Sequence, residues 1–245
     1  MNNPWNGLRD EAAKRLTQRN YRQLSLAQRL GSTGVEVEEL LATDRAELVS
    51  NWIPGVELFP RRIFPQRHRG FFGEFARQEE GPLAKVNVWP KQWATATLWA
   101  GSAKGFHIHP PHIPGGVQPG EWFRRLYVEE PGNVALRPYD LEQWDAMFFV
   151  QGTVEMILVD ERVGMPRRIM RFIVDGDNHR GGNNAGVLIP AGVAHAMRAE
   201  SSENVIMVYG TTTKFDPAAE GRIESGLETS QLPPEWDGYL FGGAE

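Results

Sequence analysis

Lys104-Gly105-Phe106-His107-Ile108-His109-Pro110-Pro111-His112 holds three of the chain's six histidines. In an extended strand alternate side chains share a face, so His107 and His109 point the same way, about 6.5–7 Å apart along the chain. Phe106 and Ile108 then face the other way, and Pro110-Pro111 ends regular pairing. Two imidazoles on one face suit either a proton-transfer site or two ligands of a metal. What stands opposite them decides between the two.

Downstream, Val187-Leu188-Ile189-Pro190-Ala191-Gly192-Val193-Ala194-His195 reads as a strand, a Pro-x-Gly turn and a histidine that restarts a strand. Between and around these segments, from Pro54-Gly55 onward, short runs rich in Val, Ile, Phe, Trp and Thr alternate with Gly, Pro and Asn clusters: VELF, RRIF, FFGEFA, AKVNVW, ATATLWA, AMFFVQG, TVEMILVDE, RRIMRFIVDG and NVIMVYG. Many short strands with regular turn signals predict an all-β sandwich or barrel, here over residues 51–215. Residues 110–144 break the spacing with Pro114, Pro119, Pro131 and Pro138, and are expected to form a long inserted loop of the kind that serves as a lid or binding loop. Residues 216–245 read as an irregular tail pinned by Trp236, Tyr239 and Phe241.

Residues 1–50 differ in texture. Residues 10–30 place Ala13, Leu16, Leu24, Ala27 and Leu30 near one another on a helical wheel, and Thr33-Gly34-Val35-Glu36 has the form of a capping box before a second helix. Residues 1–30 carry six basic and two acidic side chains, and residues 31–50 one basic and five acidic, so the two pieces offset each other. An N-terminal helical arm packed on itself or on a neighbouring subunit is expected, as part of a homodimer. A helix-turn-helix at residues 26–32 is disfavoured because the segment after it is acidic.

The formal net charge of −5 argues against a general nucleic-acid or membrane surface. The chain has no cysteine, which removes disulfides, thiolate nucleophiles and sulfur-ligated zinc, so a metal would need histidine and carboxylate ligands. No basic start with an apolar run opens the chain, and no apolar stretch approaches the ~20 residues of a spanning helix, so a cytoplasmic protein is expected.

Together, G-F-H-I-H and I-P-A-G-V-A-H resemble the two signature segments of the cupin superfamily, which implies a double-stranded β-helix that brings both into one barrel. Within cupins the chain resembles the dTDP-4-dehydrorhamnose 3,5-epimerase family over about residues 53–223. Ile53-Pro54-Gly55-Val56-Glu57-Leu58, the Arg69-Gly70-Phe71-Phe72-Gly73-Glu74-Phe75 segment, Gly105-Phe106-His107, the hairpin from Gly152 to Arg162, Ile189 to His195 and Val208-Tyr209 carry the resemblance. It implies an epimerase or isomerase of a nucleotide-linked keto-sugar, without cofactor or metal, that removes a proton beside a ketone and returns it from the other face. His107 would be the base and Tyr209 the acid; Arg69, Glu74, Gln92, Lys104, His195 and Asp160 would hold the substrate.

The chain also departs from that pattern. The family's lysine before the hairpin is Asp145 here, whose charge would oppose an enolate, and its arginine before G-x-H is Lys104. The aspartate of W-x-D-P, which orients the histidine, has no counterpart around Arg222-Ile223-Glu224. Three alternatives follow. His107, His109 and His195, with His112 or Glu121, could ligate a divalent transition metal in a dioxygenase, lyase or sugar isomerase. The barrel could bind carbohydrate without turnover. Each residue also has a plainer role: Arg69 in an ion pair with Glu74, Asp160 with Arg162, and Tyr209 as a core aromatic.

Overall fold

A computed structural model describes residues 21–25, 36–40, 52–85, 89–109, 111–130, 142–179, 183–200, 202–217, 220–224 and 228–231. Among these the strands are β1 (Tyr21–Ser25), β2 (Glu36–Leu40), β3 (Glu57–Pro60), β4 (Arg62–Gln66), β5 (Gly70–Glu74), β6 (Gln92–Leu98), β7 (Ala103–Ile108), β8 (Asp145–Gln151), β9 (Thr153–Asp160), β10 (Ile169–Asp175), β11 (Ala185–Ile189), β12 (Val193–Ala199), β13 (Val205–Thr211), β14 (Gly221–Glu224) and β15 (Glu228–Gln231). Helix α1 spans Pro82–Lys85; helix α2 spans Pro119–Arg124 and continues into a π-helical turn over Arg125–Glu129. No helix among the described residues is long and apolar enough to cross a membrane.

The strands form two facing sheets. One has the order β1-β2-β10-β9-β12-β7-β14-β15 and the other β3-β11-β8-β13-β6. Hairpin β4–β5 forms a small two-stranded sheet of its own, with Phe64 and Phe72 stacked and about half exposed. The main strands are antiparallel and built from β-branched and aromatic residues, as the sequence texture predicts. A core of Met147, Phe149, Met156, Leu158, Val187 and Met207 fills the space between the sheets. Gly152 turns β8 into β9 at a φ of +84°, where a Cβ would stand 2.7 Å from the carbonyl of Asn204, so only glycine fits.

The loop expected over 110–144 is, at 119–129, a packed helical segment. Trp122, Phe123, Leu126 and Tyr127 lie at helical spacing and are buried with Trp144, Ala146 and Phe148 against the outer face of the second sheet. Strand β8 is therefore buried on both faces, Met147 and Phe149 inward, Phe148 outward. The proline and glycine density of this segment concealed a short amphipathic helix in the sequence.

The N-terminal arm is also corrected where it is described. Tyr21–Ser25 and Glu36–Leu40, expected as helix, are strands paired antiparallel, and β2 joins β10 at Arg171↔Glu38 and Phe172↔Val37. The open edge of β10 offers backbone donors and acceptors that a strand satisfies and a helix does not, so tertiary pairing overrides the local helical pattern. The rest of the arm lies outside the described residues. So do Trp236, Tyr239 and Phe241. The start of the tail is ordered as β14, which pairs with β7 at Gly221↔Ile108 and Arg222↔His107.

Arg162 ties the hairpin end of β9 to the rest of the barrel. It is fully buried and chelates Asp160 through Nε (2.7 Å) and Nη2 (2.8 Å). Nη2 also donates to the carbonyl of Pro54 at 2.8 Å, and the guanidinium lies 4.2 Å over the Tyr127 ring. Removing one partner of such a pair leaves an uncompensated buried charge. Arg162→Ala should lose about 3–5 kcal/mol in chemical denaturation, and pairing it with Asp160→Leu should recover part of that loss. A single-variant cost below about 1 kcal/mol would contradict this account.

Candidate active site

The register between β7 and β12 builds the site. His195 pairs with His107, and the ladder then slips by one residue to Met197↔Lys104. Gly105 sits at the slip with φ of +120°, and a Cβ there would stand 2.7 Å from both the Cα of Ala196 and the carbonyl of His195. The glycine of G-F-H thus lets the two histidine-bearing strands close together. The His195 ring lies between the other two, 5.9 Å from His107 and 5.5 Å from His109, so His107 and His109 share a face as the alternation predicts.

The opposite sheet supplies the other wall of a cavity of about 200 Å³. Register sets Asp145 beside Thr211 and Gln92, and Met147 beside Tyr209. All five line the cavity with the three histidines, Lys104, Gln143, Phe215, Glu220 and Arg222.

Asp145 lies at the centre, 3.0 Å from His109 Nε2 and 3.4 Å from His195 Nε2, and accepts a 3.0 Å hydrogen bond from Gln143 Nε2. Burial disfavours the His109 imidazolium, but the charge and hydrogen bond of Asp145, with Glu220, outweigh it and hold His109 above its ordinary pKa. Burial alone would raise Asp145. Instead His109, and secondarily His195 and Gln143, hold it well below the usual carboxylate range. Burial pulls His195 down to about 4, with His109 and His107 adding repulsion against the attraction of Asp145. His195 Nδ1 faces the carbonyl of Val193 at 3.3 Å, while Nε2 faces Asp145.

His107 stands apart from Asp145. Its Nδ1 is 3.6 Å from Glu220, and its Nε2 is 3.4 Å from Arg222 Nη1. Glu220 and Arg222 thus flank the two ring nitrogens of His107. Glu220, lowered by His107 and His109 against the effect of its burial, also stands 3.8 Å from His109 Nδ1. On the other wall, partial burial and the charges of Asp145 and Glu220 push the Tyr209 phenol up, so it keeps its proton.

Of the residues singled out in the sequence, His107, His109, His195, Tyr209, Gln92 and Lys104 line the cavity. The others lie elsewhere. Arg69 is in the exposed turn of hairpin β4–β5, and Glu74 pairs with Arg77 at 2.9 Å, not with Arg69. Asp160 is the buried partner of Arg162. His112 and the exposed Glu121 do not line the cavity, so neither joins the other histidines. Sequence reasoning missed Gln143 and Glu220. Glu220 belongs to no motif and comes to the site only because β14 lies beside β7.

No protein-family model and no curated protein matches the chain. Solved structures do. The crystal structure of dTDP-4-dehydrorhamnose 3,5-epimerase from Sulfolobus tokodaii matches at a TM-score of 0.50 and 20% identity, over 73% of this chain and 82% of that one. That of dTDP-6-deoxy-D-glucose-3,5-epimerase from Legionella pneumophila, in complex with dTDP-4-keto-L-rhamnose, matches at 0.50 and 20%, over 76% and 87%. A dTDP sugar isomerase from Desulfovibrio desulfuricans matches at 0.52 and 13%, over 72% and 90%. The fold is theirs, a cupin barrel. The two segments that resemble cupin signatures, around His107 and His195, face each other inside it, as the resemblance implies.

The depressed His195 has a measurable consequence for the cupin barrel. Its folded pKa of about 4 lies below the ordinary 6.5, so below 6.5 the unfolded chain takes up the proton first. Its contribution to stability is therefore present above pH 6.5 and lost as pH falls toward 4. Denaturation across this range should show a decline of up to roughly 3 kcal/mol that is absent in His195→Asn. Equal slopes in the two proteins would contradict it.

Proposed function

We propose that the chain is an epimerase or isomerase of a nucleotide-linked keto-sugar that works by proton abstraction next to a carbonyl. The observation that carries this reading is the placement of a held imidazole and a protonated phenol in one cavity: His107 on the first sheet and Tyr209 on the second. His107 Nε2 takes the proton from the carbon beside the ketone, and Glu220 keeps Nδ1 protonated and steadies the imidazolium that forms. The Tyr209 hydroxyl returns a proton to the opposite face of the enolate. The Asp145 carboxylate, which would oppose the enolate charge, is matched by His109. The sugar-nucleotide class rests on the solved structures with this fold, which are dTDP-sugar epimerases and an isomerase. Lys104 and Arg222, exposed at the cavity wall, offer cations to phosphate. Arg69 and Glu74, which the family resemblance assigns to the nucleotide, lie outside this cavity and have no part in the proposal.

Deuterium uptake from heavy water into a dTDP-4-keto-6-deoxy sugar tests the reading. Wild type should exchange, His107→Asn should lose about 10²–10⁴-fold, and Glu220→Gln should shift the pH profile while retaining part of the rate. Absence of exchange in wild type, or full exchange in His107→Asn, would overturn it.

One observation favours a second reading, a metal-dependent cupin. Donor atoms of His109, Asp145 and His195 all lie within 4.8 Å of one another. Two histidines and a carboxylate suit iron, manganese or zinc, and such an ion would supply Lewis-acid or redox chemistry. His107 and His112 fall outside this group, so the ligand set differs from the four histidines expected from sequence. Elemental analysis decides it: the epimerase reading expects no stoichiometric metal, whereas about one equivalent lost on Asp145→Asn would favour the metal.

A further inference from the structure

The ladder between β8 and β13 ends at Asp145↔Thr211, on the first residue of β8. Residues 142–144, just before it, lie outside the strand. The residues that follow Thr211 hold them in its place. The Thr212 hydroxyl donates to the carbonyl of Glu142 at 2.7 Å and accepts from the Trp144 N–H at 2.8 Å, and the Thr212 N–H donates to the carbonyl of Trp144 at 3.2 Å. The Thr213 hydroxyl donates to Gln143 Oε1, and the Thr211 hydroxyl donates to the carbonyl of Thr213 at 2.7 Å. Glu142 and Trp144 are fully buried on either side of Gln143.

This clamp fixes one amide. With Oε1 on Thr213, Gln143 turns Nε2 toward Asp145 and donates to Oδ1 at 3.0 Å. The reverse orientation would set a carbonyl oxygen against a carboxylate, so the amide is held one way round. With Oδ1 taken, Oδ2 faces His109 Nε2 at 3.0 Å and His195 Nε2 at 3.4 Å. A carboxylate turns readily about its last torsion, whose wells are broad. Gln143 on one oxygen and His109 on the other leave it a single setting. The His195 ring lies between those of His107 and His109, so a turn of Asp145 would reach His107 through it. Glutamate at 143 would match the size of glutamine and could still accept from Thr213, but it would place a carboxylate oxygen against Oδ1.

We propose that Gln143 is a positioning residue of this cavity: held by Thr213, it fixes the carboxylate plane of Asp145 and thereby the His109 and His195 rings beside His107. The proposal rests on the reading of the cavity as a site of proton abstraction. Gln143 acts there through Asp145 and touches no reacting atom.

Kinetics and proton NMR on the full chain test it. In deuterium uptake into a dTDP-4-keto-6-deoxy sugar, Gln143→Glu and Gln143→Met should lower kcat by roughly 10- to 10²-fold with KM little changed. Thr213→Ser, which keeps the hydroxyl, should stay near wild type. Independently of turnover, the imidazole N–H that His109 donates to Asp145 should give a downfield resonance, assigned by its loss in His109→Asn. That resonance should move in both Gln143 variants and stay in place in Thr213→Ser. Circular dichroism and melting temperature check that each variant is folded. A folded Gln143→Glu with wild-type kcat and an unmoved resonance would overturn the proposal, since size and the bond to Thr213 would then suffice. A rise in KM alone would also overturn it, by making Gln143 a substrate contact. If wild type catalyses no exchange, the proton-abstraction reading fails by itself and the resonance decides: movement in Gln143→Glu supports the positioning role, and an unmoved signal overturns it.

Discussion

The cavity depends on one antiparallel register, the pairing of β12 with β7 that sets His195 opposite His107. Because side chains in a strand alternate, a slip of β7 by one residue against β12 would turn His107 and His109 away from the cavity and leave His195 in it alone. Two features hold the register. Gly105 admits the close approach of the β12 backbone, and the Pro190-Ala191-Gly192 turn fixes where β12 begins. The chemistry of the site is thus a property of backbone geometry before it is a property of any side chain.

Within that frame the charges divide into two groups. His109 and Asp145 form a buried pair in which each holds the other ionised, and His195 beside them stays neutral. His107 and Glu220 form a second, more open pair at the mouth. The division keeps the buried carboxylate of Asp145 from standing in the cavity as a bare negative charge. It also gives two neighbouring histidines different tasks: one is matched to a buried carboxylate, the other left with a usable lone pair.

The legibility of the chain follows from the range of its interactions. The barrel was readable because strand texture and turn chemistry are local, and so was the common face of His107 and His109. The meeting of the His107 and His195 segments was readable only through the family resemblance. Asp145 was noticed as a departure from the family pattern, yet its two histidine partners lie 36 and 50 residues away from it, and nothing near it in sequence announces them. Glu220 had no signal because it reaches the site through the tail strand. The segment at 119–129 was misread because its prolines and glycines obscured four apolar residues at helical spacing. The arm segments 21–25 and 36–40 were misread for the opposite reason: their local pattern is helical, and a sheet edge overrides it.

The burial of β8 on both faces affects how the protein assembles. Asp145 begins this strand, and its inner face contacts one core while its outer face contacts the layer that α2 covers. Both layers draw on residues far apart in the chain, and pairings of that range carry a loop-closure cost that slows folding. A partially assembled barrel would therefore hold no fraction of the site. Binding of a cavity ligand would then report that both layers around β8 are in place.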